Sequence, residues 1–147
     1  MSVLSEILDN HILISAMIAW FIAQTLKLII NFSIHRTFDV AFLFSSGGFP
    51  SSHSATVSAL AIGVGKYYGW SSPTFAIAAI FGMIVMYDAA GVRRAAGKQA
   101  EVINQLVEGL YQQMTHLSQE RLKELIGHTP FEVFAGAIVG IIVGVLM

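Results

Sequence analysis

The chain contains no cysteine, which excludes a disulfide framework and any thiolate metal site while leaving the redox compartment open. Charge is also scarce: 12% of the 147 residues are Asp, Glu, Lys or Arg, where a soluble domain carries about 25%. The net charge of -1 provides no bulk basic surface, so nucleic acid is not an expected partner. Internal repeats and low-complexity tracts are absent. Glu6 and Asp9 stand near the start, where a targeting segment would carry Lys or Arg, and no small-residue cleavage site follows the first apolar run. A cleaved signal peptide is therefore not expected. What the chain has in quantity is apolar residues, 55% of the total with a mean hydropathy of +0.69, which points to one integral membrane domain over 1–147.

Its fold class follows from the apolar runs: an all-α, polytopic transmembrane helical bundle of about four spans. Residues 12–34 are long enough to span, with Gln24 and Lys27 their conspicuous polar members and His35 and Arg36 marking the end. The mixed stretch between Arg36 and Pro50 is too short to span and reads as a re-entrant or interfacial loop. Residues 54–68 and 73–87 form a hairpin turned by Gly69-Trp70-Ser71-Ser72-Pro73, with Tyr67, Tyr68 and Trp70 at the interface. Residues 131–147 carry Gly136, Gly140 and Gly144 at four-residue spacing, a stripe suited to close helix approach within the bundle or across a homodimer. Between the third and last spans, at about 99–126, Ile103, Leu106, Val107, Leu110, Met114 and Leu117 recur at helical spacing among Glu and Gln residues, the pattern of an amphipathic helix.

Basic residues set the orientation. Arg36 follows the first span, and Arg93, Arg94, Lys98, Arg121 and Lys123 lie between the third and last, so both flanks are expected inside and both termini outside. The end of span one, start of span two, end of span three and start of span four then share one face of the bilayer. Lys27, Arg36, His53, Asp88, Arg93, Arg94 and His128 are expected to converge there.

Three polar clusters supply that face. In Gly47-Gly48-Phe49-Pro50-Ser51-Ser52-His53-Ser54 a serine can serve as a helix N-cap, and the helix start offers backbone N–H groups and hydroxyls to an anion. His53 at the mouth can protonate a leaving oxygen. In Asp88-Ala89-Ala90-Gly91-Val92-Arg93-Arg94 the twin arginines could simply stop a span, or could clamp phosphate oxygens with Asp88 anchoring one of them. Thr129-Pro130-Phe131-Glu132 fits a capping box, and His128 precedes it with a carboxylate four residues on. That carboxylate can fix the imidazole tautomer and raise its nucleophilicity. His11, His35 and His116 lack comparable surroundings and read as surface residues, and the histidine spacing does not suit zinc.

Pro50-Ser51-Ser52-His53, the later His128 and Glu132, and the stretch from Asp88 to Ala100 together resemble the divergent branch of the type-2 phosphatidic acid phosphatase and vanadium haloperoxidase superfamily. The likeness runs from about Gln24 to the C-terminus. In the wider superfamily a lysine stands seven residues before an Arg-Pro pair, a second motif reads Pro-Ser-Gly-His, and a third carries Ser-Arg, then His, then Asp four residues later. Here Lys27 and Arg36 are nine apart with no proline following, Ser52 replaces the glycine, Glu132 replaces the aspartate, and Leu122 occupies the third motif's arginine position with Arg121 one residue out of register.

The resemblance implies that His128 attacks phosphorus, Glu132 orients it and His53 protonates the departing group. It further implies that Lys27, Arg36, Arg93, Arg94 and the backbone near Ser51 and Ser52 stabilise the phosphoryl oxygens, with no cofactor or metal required and vanadate able to take the phosphate's place. The expected activity is a metal-independent lipid phosphate phosphatase, acting on a lipid or isoprenoid mono- or diphosphate in the cell (plasma) membrane. The alternatives are a non-catalytic phosphate-lipid binder or dimeric scaffold, and a small transporter. A transporter fits less well because the polar residues gather at one face instead of at midmembrane.

The absence of native thiols makes the topology directly testable. Single cysteines at Ser2 and Ser118 are expected to differ in labelling by an impermeant reagent on intact cells, Ser2 being accessible; equal access would contradict the four-span arrangement.

Overall fold

The computed structural model describes residues 2–36, 48–111 and 127–147, and these form six helices with no strand among the described residues. They are α1 (Val3–Leu8), α2 (His11–His35), α3 (Ser52–Tyr68), α4 (Pro73–Ala90), α5 (Val92–Tyr111) and α6 (Pro130–Leu146). The start of each longer apolar helix is fixed by a side-chain cap. Asn10 accepts from the Leu13 N–H at 3.0 Å, Ser51 from Ser54 at 3.3 Å, Ser72 from Phe75 at 3.1 Å and Thr129 from Glu132 at 3.3 Å. Proline at the first position of α4 and α6 strengthens two of these starts, because that residue's N–H would have no helical partner.

The 25 residues of α2 extend roughly 37 Å at 1.5 Å per residue, more than the ~30 Å hydrocarbon core. Among the described residues, α2 and the run from α4 onward are long and apolar enough to cross a membrane, and α6 is a shorter apolar helix. The distribution of side chains is that of a helical membrane bundle. Ile77, Ile80, Phe81 and Ile84 of α4 are exposed along one stripe, while Ala78, Gly82 and Ala89 are buried on the other. The core is built from small residues: Ala19 and Ala23 of α2 and Ala55 and Ala59 of α3, with Val143 of α6. Bulk outside and small residues inside is the pattern by which helices associate where lipid removes the hydrophobic drive between them.

At the centre stands α3, which packs against α2, α4 and α6. Its inward residues include Ser54, Ala55, Ser58, Ala59 and Gly63, which explains why the most enclosed helix is the less apolar one. The glycine stripe of α6 seats on it. A Cβ added at Gly140 would overlap the Ala55 carbonyl oxygen and come within 2.8 Å of Ser58 Cβ, and one at Gly136 would overlap the Ser51 carbonyl. At the far end Lys66 of α3 donates to the Val145 and Gly144 carbonyls at 2.9 and 3.3 Å, placing a cation on the otherwise unpaired carbonyls that close α6. Helices α3 and α6 are thus parallel. Helix α2 runs antiparallel to them, since Ile12 and Ser15 near its start lie beside Gly63 and Lys27 of its second half lies beside Gly48, before α3 begins.

Two segments differ from the sequence expectation. The helix expected at about 99–126 begins at Val92, with only Gly91 between it and α4, so Arg93 and Arg94 stand in the first turn of α5; its expected continuation over 112–126 lies outside the described residues. The alanines and lysine of 95–100 continue a helix that apolar periodicity alone marks only later. A short N-terminal helix, α1, was also not expected; Ser2 caps it. The re-entrant or interfacial loop falls largely on 37–47, outside the described residues.

Overpacking at a close helix crossing costs about 1–3 kcal/mol. Gly140→Ala is therefore expected to lower the thermal stability of the purified protein clearly. Gly82→Ala, whose Cβ would meet Val57 at an ordinary 3.7 Å, should leave it nearly unchanged, with thermal unfolding in detergent as the measurement. Equal stability of the two variants would contradict the α3–α6 contact.

Candidate functional site

The first turns of α3 and α6 open side by side, and one main-chain bond ties them: the Ser51 N–H donates to the Glu132 carbonyl at 3.0 Å. Two helix N-termini, each with the positive end of its dipole, therefore face the same place. Their approach depends on Gly136, where any side chain would strike Ser51. Ser51 and Ser52 are buried, and the Ser54 hydroxyl donates to Ser51 Oγ at 3.0 Å.

His128 precedes the cap of α6 and is 1% exposed. Three contacts fix it. Its N–H donates to the Ala89 carbonyl at 3.0 Å, so the last turn of α4 holds its main chain. Gly127 lies so tightly against the start of α5 that an added Cβ would overlap Arg94 N and stand 2.7 Å from the Arg93 carbonyl carbon. His128 Nδ1 lies 3.2 Å from Glu132 Oε2, the oxygen that also accepts the Thr129 N–H at 2.9 Å. With the carboxylate as acceptor, Nδ1 carries the proton and Nε2 the lone pair. That Nε2 is buried and has no hydrogen-bond partner among the described residues, and the same holds for Nδ1 of half-buried His53. The two imidazoles meet edge to face with centroids 5.9 Å apart.

Positive charge surrounds this pair. Lys27, 1% exposed, enters from α2, with the Glu132 carboxylate acting on it electrostatically and its aliphatic stem against Gly48. Gly48 has a φ of +97°, and a Cβ there would stand 3.2 Å from Lys27 Cδ. Arg93 enters from α5, its Nε donating to Asp88 Oδ2 at 2.9 Å. This pair is half exposed and contributes little to stability, but it aims the guanidinium. Burial pushes the His128 imidazole below the ordinary histidine value of 6.5; Glu132 opposes this through its hydrogen bond and charge, while Lys27 and Arg93 reinforce it. His128 is accordingly a neutral imidazole at pH 7, with its Nε2 lone pair available.

Of the residues singled out in the sequence, Lys27, Ser51, Ser52, His53, Asp88, Arg93, His128 and Glu132 are gathered around this point by direct contact, helix start or electrostatic reach. Arg94 contributes main chain beneath Gly127, and its charge is not among those acting on either histidine. Arg36 is an exposed left-handed C-cap of α2 (φ 56°), nine residues and so about 13 Å along the helix from Lys27. Ala89 and Gly127 had no apparent role in the sequence. The signal that could have found Gly127 is the glycine directly before the histidine.

A buried histidine held by a carboxylate stands here beside a second histidine and two cations at paired helix starts, an arrangement with the charge to hold an anion and an unpartnered Nε2 next to it among the described residues. The chain belongs to the Divergent PAP2 family, which it matches over residues 8–143. It is 43% identical over 152 residues to the uncharacterized membrane protein YuiD of Bacillus subtilis (strain 168), an alignment covering 97% of this chain and 96% of that protein. No solved structure matches it.

The electrostatics give a measurable sign. In an NMR titration the His128 midpoint is expected below 6.5, and Glu132→Gln should move it lower still, since the lost carboxylate raises it. A midpoint above 6.5, or an upward shift in the variant, would contradict the assigned geometry.

Proposed function

We propose that this protein is a membrane phosphatase that hydrolyses a lipid or isoprenoid phosphate or diphosphate through a phosphohistidine, without a metal ion. The observation carrying this reading is the state of His128: neutral, buried, its Nδ1 engaged by Glu132 and its Nε2 unpartnered among the described residues. Membership of the Divergent PAP2 family supports it.

In the first step His128 Nε2 forms a bond to phosphorus as the P–O bond to the leaving group breaks. The departing oxygen takes its proton from the protonated form of His53, which is the minor form at pH 7 because burial, then Arg93, His128 and Lys27, hold this imidazole below the ordinary histidine value while Asp88 opposes them. Negative charge on the phosphoryl oxygens is met by Lys27, the Nη groups of Arg93 and the N–H groups at the starts of α3 and α6. Glu132 stabilises the positive charge that develops on the imidazole. In the second step water attacks phosphorus, the P–N bond breaks, and His53 takes the water's proton. Inorganic phosphate leaves and both histidines return to their starting states. The wider superfamily's third-motif arginine has no counterpart at Leu122, and Arg93, aimed by Asp88, takes that role.

Phosphate release from a panel of lipid and isoprenoid phosphates, measured with a chelator present, tests the reading. The wild type is expected to turn over at least one class. His128→Ala should lose on the order of 10³-fold or more, and Arg93→Lys about 10- to 100-fold, since a point charge cannot reproduce directed guanidinium bonds. Tight lipid-phosphate binding with no release by the wild type would replace the enzyme with a binding protein. Undiminished release by a folded His128→Ala variant would exclude the phosphohistidine.

A further inference from the structure

Phe49 and Phe131 stack face to face, with centroids 5.4 Å apart and planes 14° apart. Nothing in the chemistry above uses them, yet each is built into one of the two helix mouths that form the site. Phe49 lies between Gly48, which packs on the Lys27 stem, and Pro50-Ser51, which lead into α3. Phe131 lies between Thr129 and Glu132, within one turn, or about 5 Å along the axis, of the carboxylate that holds His128. Phe131 is 70% exposed and faces outward like the other bulky residues of the bundle, but of these it is the one stacked on a ring at the mouth of α3.

The rest of α6 gives it a context. Phe131, Phe134, Ile138, Ile141 and Val145 are exposed at three- and four-residue spacing, with Ile142 beside them, along the face opposite Gly136, Gly140 and Gly144. This stripe is an apolar track that rises from the lipid-facing surface of the bundle and ends at the aromatic pair. A phosphate seated at His128 with a long hydrocarbon attached can lay its first carbons on the two rings and the remainder along the stripe, without leaving the bilayer. A small water-soluble phosphate has no such contact.

Building on the reading of the site as a lipid phosphate phosphatase, we propose that the Phe49–Phe131 pair is the seat of the substrate's hydrocarbon chain, and that it selects long-chain lipid phosphates entering sideways from the bilayer along α6. Selectivity then resides in the leaving group's apolar part, while the phosphoryl machinery treats all monoesters alike.

The test uses the full-length protein in mixed micelles and compares wild type, Phe131→Ala, Phe49→Ala and Phe131→Leu. Two readouts are taken: kcat/KM for a long-chain phosphatidic acid against p-nitrophenyl phosphate, and the Kd of each variant for phosphatidic acid against inorganic phosphate. Each alanine variant is expected to lose about tenfold on the lipid in both readouts, the equivalent of a few methylene contacts, with the small phosphates unchanged. Phe131→Leu, which keeps an apolar side chain, should recover most of the loss. Equal losses on lipid and small phosphates, or no loss on either, would overturn the seat. If the wild type binds lipid phosphate without turnover, the affinities still decide the seat while the phosphatase reading fails by itself; if it binds neither phosphate, both fail.

Discussion

One carboxylate oxygen joins the fold to the chemistry. Glu132 Oε2 accepts the Thr129 N–H, which closes the capping box of α6, and lies against His128 Nδ1, which fixes the imidazole. The helix start and the orientation of the histidine therefore cannot be separated. A buried histidine with an unpartnered Nε2 would be an awkward element of a membrane bundle if its only role were packing, because an orphaned buried polar atom costs roughly 1–3 kcal/mol. The capping box holds it in place regardless.

Around that oxygen the bundle is arranged to bring distant segments together at short range. The glycine stripe lets α6 approach α3 until the Ser51 N–H reaches the Glu132 carbonyl, so both helix starts face one point. Helix α2 supplies Lys27 from within its span, and the α4–α5 junction supplies both the Ala89 carbonyl that anchors His128 and the Arg93 guanidinium. Cations that would be costly against lipid are thus held beside a carboxylate or at a helix mouth.

Much of this was legible in the sequence, for identifiable reasons. The capping box, the Ser51 cap and the glycine stripe are local patterns whose geometry follows from helix spacing, and the reach of Glu132 to His128 follows from placing the cap at Thr129. The junction at Gly91 was not legible in the same way. Apolar periodicity falls silent over 93–100, where alanine, arginine and lysine sustain a helix by propensity. Nor could spacing distinguish Arg93 from Arg94: that difference comes from Asp88 and from the main-chain packing of Gly127, which are tertiary contacts. The burial of Lys27 was suggested only by its place in an apolar run. The Phe49–Phe131 stack joins segments 82 residues apart in sequence and left no pattern to read.

The central claim is that His128 Nε2 is a nucleophile, and the most direct measurement is to trap what it forms. Rapid denaturing quench during turnover of a lipid phosphate, followed by mass spectrometry, is expected to find an acid-labile, alkali-stable phosphoryl group on His128, absent from the His128→Ala variant. Steady turnover with no phosphoryl group on His128, under an alkaline quench fast relative to a single turnover, would contradict the account.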